Sequence, residues 1–148
     1  MEEVFKTSNA NHVFKKCKSL QSGHDCIVML EKPSNDFSCN ESRTVFNKNI
    51  AKFRCNGLLV KIIFDLVLNI KLSCIVHKTV FCYTHHTHYE VGRIVRPNDF
   101  DPNLDEICTS GIHYFLTLKA AIGYDFNKGC CIIDGVEYDS NGYAGLSR

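Results

Sequence analysis

Leu58 to Val76 reads LLVKIIFDLVLNIKLSCIV, and its period decides the fold. Lys61, Asp65 and Lys71 interrupt the run, and charges at that density exclude a membrane span. Lys61, Asp65 and Asn69 are spaced as a helix face requires, yet Lys71 and Ser73 fall on the same odd series. Every even position from 58 to 76 is apolar or Cys. Period two accounts for more positions than period 3.6, so the segment reads as strand. Nineteen residues exceed an ordinary strand, which places a bend or tight turn between Asp65 and Lys71. A helix over Leu59 to Asn69 is the competing reading.

The flanking segments extend the strand pattern in both directions. Asp25 to Lys32 (DCIVMLEK) reads as a buried strand stopped by Pro33, because a proline pushes the preceding residue out of helical geometry. Ser42 to Cys55 mixes polar and apolar residues and is expected to hold a short helix before the Asn56-Gly57 turn. Cys74 to Cys82 and His88 to Val95 read as strands of a hairpin, joined through Thr84-His85-His86-Thr87. Past Val95, RPNDFDPNLDE carries two prolines and a series of Asp and Asn side chains that compete for backbone hydrogen bonds, a turn-rich acidic loop. Gly111 releases the chain into strand Ile112 to Leu116. Thr117 has the hydroxyl to cap a helix over Leu118 to Tyr124. Cys130 to Ile133 and Val136 to Tyr138 flank Asp134-Gly135, a hairpin signal. The expected class is α+β: a mostly antiparallel sheet carrying one or two short helices, built as a single domain over 1–148 with frayed ends at 1–15 and 140–148.

Composition narrows the function classes. The chain of 148 residues is 45% hydrophobic, enough for one buried core. Seventeen basic and sixteen acidic residues leave a formal charge of +1, so no field of one sign recruits nucleic acid or an anionic membrane. No Gly-Lys-Ser/Thr phosphate loop occurs, and Lys15, Lys16 and Lys18 form a solvated flank. Nine cysteines without a CxxC pair, behind a start (Met1 to Phe14) that lacks a basic and then apolar run, point to a reduced compartment. Their thiols then act as small buried hydrophobes.

Tyr89-x-Val91-Gly92, the turn Arg96 to Asp101, Glu106-x-Cys108-x-x-Gly111-Ile112-His113-Tyr114-Phe115 and Ala121-x-x-Tyr124 resemble an uncharacterised domain. It occurs in proteins of mimivirus-type giant viruses and some phages, often beside pentapeptide or MORN-like repeats. The stretch from Lys16 to Asp65 shares the likeness, and Tyr138 to Gly142 is faintly similar to the start of a MORN-like repeat. The resemblance implies a viral accessory protein acting in the host cytoplasm or the virion.

Three groups of residues are candidates for chemistry. His77, Cys82, His85, His86 and His88, with Cys108 and His113, contain metal-ligand types, and His86 and His88 would share a strand face. Their spacing matches no standard zinc module, and no metal is expected. Cys108 and His113 have the residue types of a thiol and its base, but Asp101, Asp105 and Glu106 disfavour a thiolate there. Gly111 to Phe115 followed by Ala121 and Tyr124 is similar to a strand and helix of ADP-ribosyltransferases. That likeness implies a nucleotide-binding or transferase-like alternative using His86 or His88, Tyr114 and Glu137. It departs from the pattern in placing His113 where a Tyr is usual.

The favoured reading is a viral accessory binding module that presents the loop and strand over 98–114 and uses no cofactor, with binding favoured over catalysis. Its contact residues would be Asp99, Asp101, Glu106, His113 and Tyr114, and its partner an unknown protein or a small nucleotide-like ligand.

Overall fold

The computed structural model describes residues 1–78 and 86–145. A 3-10 turn over Glu2–Phe5 precedes β1 (His12–Lys18), which turns back as β2 (Asp25–Glu31). Then come β3 (Lys52–Cys55), β4 (Leu58–Asp65), β5 (Ile70–Leu72), β6 (Cys74–His77), β7 (Thr87–Glu90), β8 (Ile94–Val95) and β9 (Ile112–Phe115). Helix α1 (Leu118–Gly123) leads into β10 (Tyr124–Asp125), β11 (Cys130–Ile133) and β12 (Val136–Tyr138). The main sheet runs β3-β9-β1-β2-β4-β5, with β8 pairing the start of β4. β10 to β12 form a meander, and β6 with β7 a two-stranded ribbon.

The α+β expectation is corrected by these elements. Strand accounts for 40% of the described residues and helix for 7%, in a curled antiparallel half-barrel. Of the one or two short helices anticipated, α1 forms where Thr117 caps it, its hydroxyl accepting from the Ala120 amide at 3.2 Å. The other is replaced by turns leading into β3, whose partner is β9, some sixty residues onward in the chain. A distant strand supplied the hydrogen bonds that a local helix would have made.

The decisive run is strand, and it turns where expected: residues 66–69 are a turn, closed by Asn69 at φ 60°. Asp65, nearly fully buried, accepts from the Val67 and Leu68 amides at 2.8 and 2.9 Å and so fixes that turn. The pleat differs from simple alternation. Met29 pairs with Ile62 and Leu30 with Val60, so Lys61 is an extra residue that bulges out of register. Before it, Leu58 and Val60 enter one core, and after it Ile63 does, while Ile62 and Phe64 go to the opposite face. A bulge inverts the side-chain parity of everything beyond it.

Both faces of the sheet are therefore covered. On one side Val13, Cys17, Val28, Leu30, Phe53 and Tyr114 pack beneath the β6–β7 ribbon, which contributes Ile75 and Tyr89. On the other, Phe14, Ile27, Met29 and Phe115 pack under Phe5, α1 and the β11 meander. Phe5 is buried and β1 begins at His12, so residues 1–15, expected to fray, help close this second layer. The other expected frayed end is described as far as 145 and contributes a buried Gly142. β1 meets β9 only at Phe14–Phe115. Lys15 and Lys16, expected on a solvated flank, turn inward beside that pair: Lys15 Nζ donates to the His113 carbonyl at 2.9 Å, Lys16 Nζ to those of Ile122 and Tyr124 at 3.1 and 2.8 Å.

The expected strand His88 to Val95 is broken at 91–93, its two halves joining different sheets as β7 and β8. The expected strand Cys74 to Cys82 continues beyond Lys78 into residues outside those described, where Cys82 and His85 also lie. No helix among the described residues is long and apolar enough to cross a membrane.

Helix α1 lies close enough to β11 for a test of that layer. A Cβ added to Gly123 would stand 2.6 Å from the Ile132 carbonyl oxygen, which is backbone and cannot swing away. Gly123→Ala is expected to lower stability by about 1–3 kcal/mol in urea unfolding, the usual result of overpacking. An unchanged midpoint would show that the two elements are not in this contact.

Candidate functional site

The loop between β8 and β9 is built around an arginine. Arg54 sits in β3 opposite His113, with no measurable exposure, on the sheet face that the loop covers. Its Nε donates to the Glu106 carbonyl at 3.0 Å, and Nη1 to those of Asp101 and Ser110 at 2.7 and 3.2 Å. Nη2 donates to the Asn103 carbonyl. The Phe100 ring lies 5.0 Å from the guanidinium carbon, in cation–π range. Only a planar fork with five donors reaches four carbonyls of one loop at once.

Neighbours complete the cage. Asn40, fully buried, accepts the Arg54 amide at 2.8 Å and donates to the Glu106 carbonyl at 3.2 Å. Asp101 accepts from the Asn103 amide and the Thr109 hydroxyl, which together hold its carboxyl below the usual carboxylate range. Gly111 ends the loop at φ +151°, and a Cβ there would press on Arg54 Cβ, the Cys55 carbonyl and Phe100. The β3–β9 pairing and the loop thus close on one another without space for a side chain.

His113 belongs to this structural layer. Its Nε2 lies 2.8 Å from the Thr109 carbonyl, so that nitrogen carries the proton, while Nδ1 is buried without a partner. Burial, with the charges of Lys15 and Lys52 nearby, pulls its pKa down to about 3. Tyr114 points to the opposite face, is fully buried and donates its hydroxyl to Glu41 at 2.7 Å. Burial first, then Cys39 and Glu41, push its ionisation far above the ordinary range. Of the five expected contact residues, Asp99 and Glu106 are exposed on the loop and Asp101 is half-buried in its frame. His113 and Tyr114 face the interior, where one bonds the Thr109 carbonyl of the loop and the other Glu41.

The transferase-like set is not brought together. Tyr114 is in the first core, whereas Glu137 ion-pairs with Lys128 at 3.0 Å in the meander over the opposite face. His88 is exposed on β7. Among the described residues no three of His, Cys, Asp and Glu converge as a metal site would need. Cys108 is exposed, its sulfur 3.6 Å from Lys52 Nζ and not against His113 nitrogen. Sequence reading missed Arg54 and Asn40. The signal was present as an arginine flanked by Phe53 and Cys55 in a strand that has to be buried, ahead of a loop whose prolines and Asx residues leave carbonyls without ladder partners.

The outward surface of the cage is acidic. Residues 98–110 include Asp99, Asp101, Asp105 and Glu106 and no basic residue. Asp99, Asp105 and Glu106 are exposed, with Leu104 exposed between them. Because the arginine is satisfied by backbone, it leaves these carboxylates to the solvent side.

The model of a family of unknown function (DUF5758) matches residues 1–121. No curated protein and no solved structure matches the chain.

Proposed function

As the chain belongs to DUF5758, a family of unknown function, its role has to be read from the loop, and we propose that it is a binding module that presents residues 98–110 to a basic protein segment. The observation that carries this reading is the spending of the Arg54 guanidinium's hydrogen bonds on loop carbonyls, which fixes the backbone without neutralising Asp99, Asp105 or Glu106. A loop ordered before binding loses little entropy on capture, and a one-signed rim selects partners of opposite charge. Leu104 supplies an apolar contact at the centre of that rim. The likeness to giant-virus proteins supports an accessory role directed at a host factor, in the host cytoplasm or in the virion.

Titration with a Lys/Arg-rich peptide, followed by amide NMR, tests the proposal. Shifts are expected to map to 99–106 and to weaken with added salt. Replacing Asp99→Asn, Asp105→Asn and Glu106→Gln together is expected to reduce affinity about tenfold, since three partly screened contacts sum to roughly 1.4 kcal/mol. Equal binding by that variant, or saturable binding of nicotinamide dinucleotide with product formation, would replace this reading with another.

A further inference from the structure

Cys39 and Cys55 face each other across an isolated antiparallel bridge. The Asn40 amide donates to the Arg54 carbonyl at 3.2 Å and the Asn56 amide to the Ser38 carbonyl at 3.0 Å. These bonds flank the cysteine pair instead of joining it, which makes it a non-hydrogen-bonded pair. In such pairs the Cα atoms stand roughly 4.5 Å apart and side chains approach most closely. A disulfide spans Cα separations of about 4.4–6.8 Å, so this pair needs little movement to be bridged.

A second cross-strand pair supplies the contrast. Cys17 opposes Cys26 in the β1–β2 hairpin, but the Ser19 amide donates to its own partner His24, so odd-numbered β1 positions are the wide, hydrogen-bonded sites. Both of those thiols are fully buried. Cys39 is partly exposed and Cys55 buried, so the bridge pair has one sulfur that an oxidant can meet and one held directly behind it. Burial pushes the Cys55 thiol up to about 12, which leaves Cys39 as the group that reacts first.

We infer that Cys39 and Cys55 form a reversible cross-strand disulfide that locks the acidic loop on its support. This rests on the reading of residues 98–110 as the presenting surface. A peroxide oxidises the Cys39 thiol to a sulfenic acid and is reduced to water. The Cys55 sulfur then attacks the Cys39 sulfur, the S–O bond breaks, and the departing hydroxide takes the Cys55 proton as a second water. Two thiols and one peroxide give one disulfide and two waters. The residues next to the bridge are Asn40 and Arg54, which hold the loop carbonyls, so tying Cys39 to Cys55 restrains the loop's attachment.

The test uses the full chain with Cys74, Cys82 and Cys108 replaced by Ser, exposed to hydrogen peroxide. Peptide mass spectrometry is expected to find a product lighter by two hydrogens that links the peptides containing 39 and 55, reversed by a dithiol. Hydrogen exchange in 101–110 is expected to slow about tenfold on oxidation. Adding Cys39→Ser, a change at a partly exposed position, should abolish both effects. A Cys39 that stays alkylatable after peroxide, or a link that leaves exchange in 101–110 unchanged, would overturn the inference. Peptide binding is measured on the reduced chain, so failure of the binding reading is seen separately from failure of the disulfide.

Discussion

Arg54→Met is expected to destabilise the protein by about 3–5 kcal/mol and to melt the 98–110 loop. Methionine fills much of the volume of the arginine stem but donates nothing. Carbonyls of Asp101, Asn103, Glu106 and Ser110 then lose the guanidinium together; Glu106, Asn103 and Ser110 keep the Asn40 side chain, the Glu106 amide and the Asp101 amide as donors, while the Asp101 carbonyl is left without one. A buried carbonyl without a donor costs about 1–3 kcal/mol, and opening of the loop to water caps the sum. Arg54→Lys should recover only part of the loss, because one ammonium cannot face four carbonyls spread around a plane. Urea unfolding gives the magnitude, and amide exchange locates it: 101–110 should exchange at near-unfolded rates while β1 and β2 stay protected. Loss of less than about 1 kcal/mol, or a loop that stays protected, would remove Arg54 as its organiser.

Acid is the second large perturbation expected. His113 and His77 both have pKa values pulled down to about 3, by burial first and by the charge of Lys15 next. The geometry agrees, since His77 Nδ1 accepts the Lys18 amide at 2.9 Å and so carries no proton, and His113 Nδ1 faces no acceptor. In the unfolded chain each titrates near its ordinary value of about 6.5. Between those values the unfolded state binds protons that the native state refuses, so stability rises with pH. It is complete above about 6.5 and falls on acidification by roughly 1.4 kcal/mol per pH unit for each histidine, about 2.7 for both. Of the depressed carboxyls, Asp101 is held down by its Asn103 and Thr109 hydrogen bonds. Burial works against Asp65, but the Leu68 amide and His24 outweigh it. Both act lower, losing their contribution only below the ordinary carboxylate range. A domain of ordinary stability, about 5–15 kcal/mol, should therefore begin to unfold well before its carboxylates protonate. Denaturant titrations from pH 7 to 4 give the slope. His113→Gln, which can still donate to the Thr109 carbonyl, should halve it, and a flat profile between pH 6.5 and 5 would contradict the buried neutral rings.

The parts legible in sequence were those fixed by neighbours in the chain. Pro33 ends β2, the Asp65 to Lys71 interval turns, Thr117 caps α1, and Asp134-Gly135 joins β11 to β12. Each depends on the conformational preference of one or two residues, which operates over a few bonds. The bulge at Lys61 was not legible, because nothing in LLVKIIFD marks where a partner strand slips by one residue. Nor was the role of Tyr114, whose neighbours in the chain resemble a ligand-binding strand while its hydroxyl meets Glu41 from a segment 73 positions away. The acidic loop was recognised as a loop and as a surface. What holds it was not.

Period two between Leu58 and Val76 determined by itself that this chain would build a sheet, because alternation of apolar side chains is a property of consecutive residues. Tertiary structure decided that both faces of the sheet would be buried. It also put Arg54 beneath a loop some fifty residues away and brought Cys39 opposite Cys55. Those outcomes depend on which strand pairs with which, a choice made by the summed burial and hydrogen bonding of the whole chain, so no local stretch contains them.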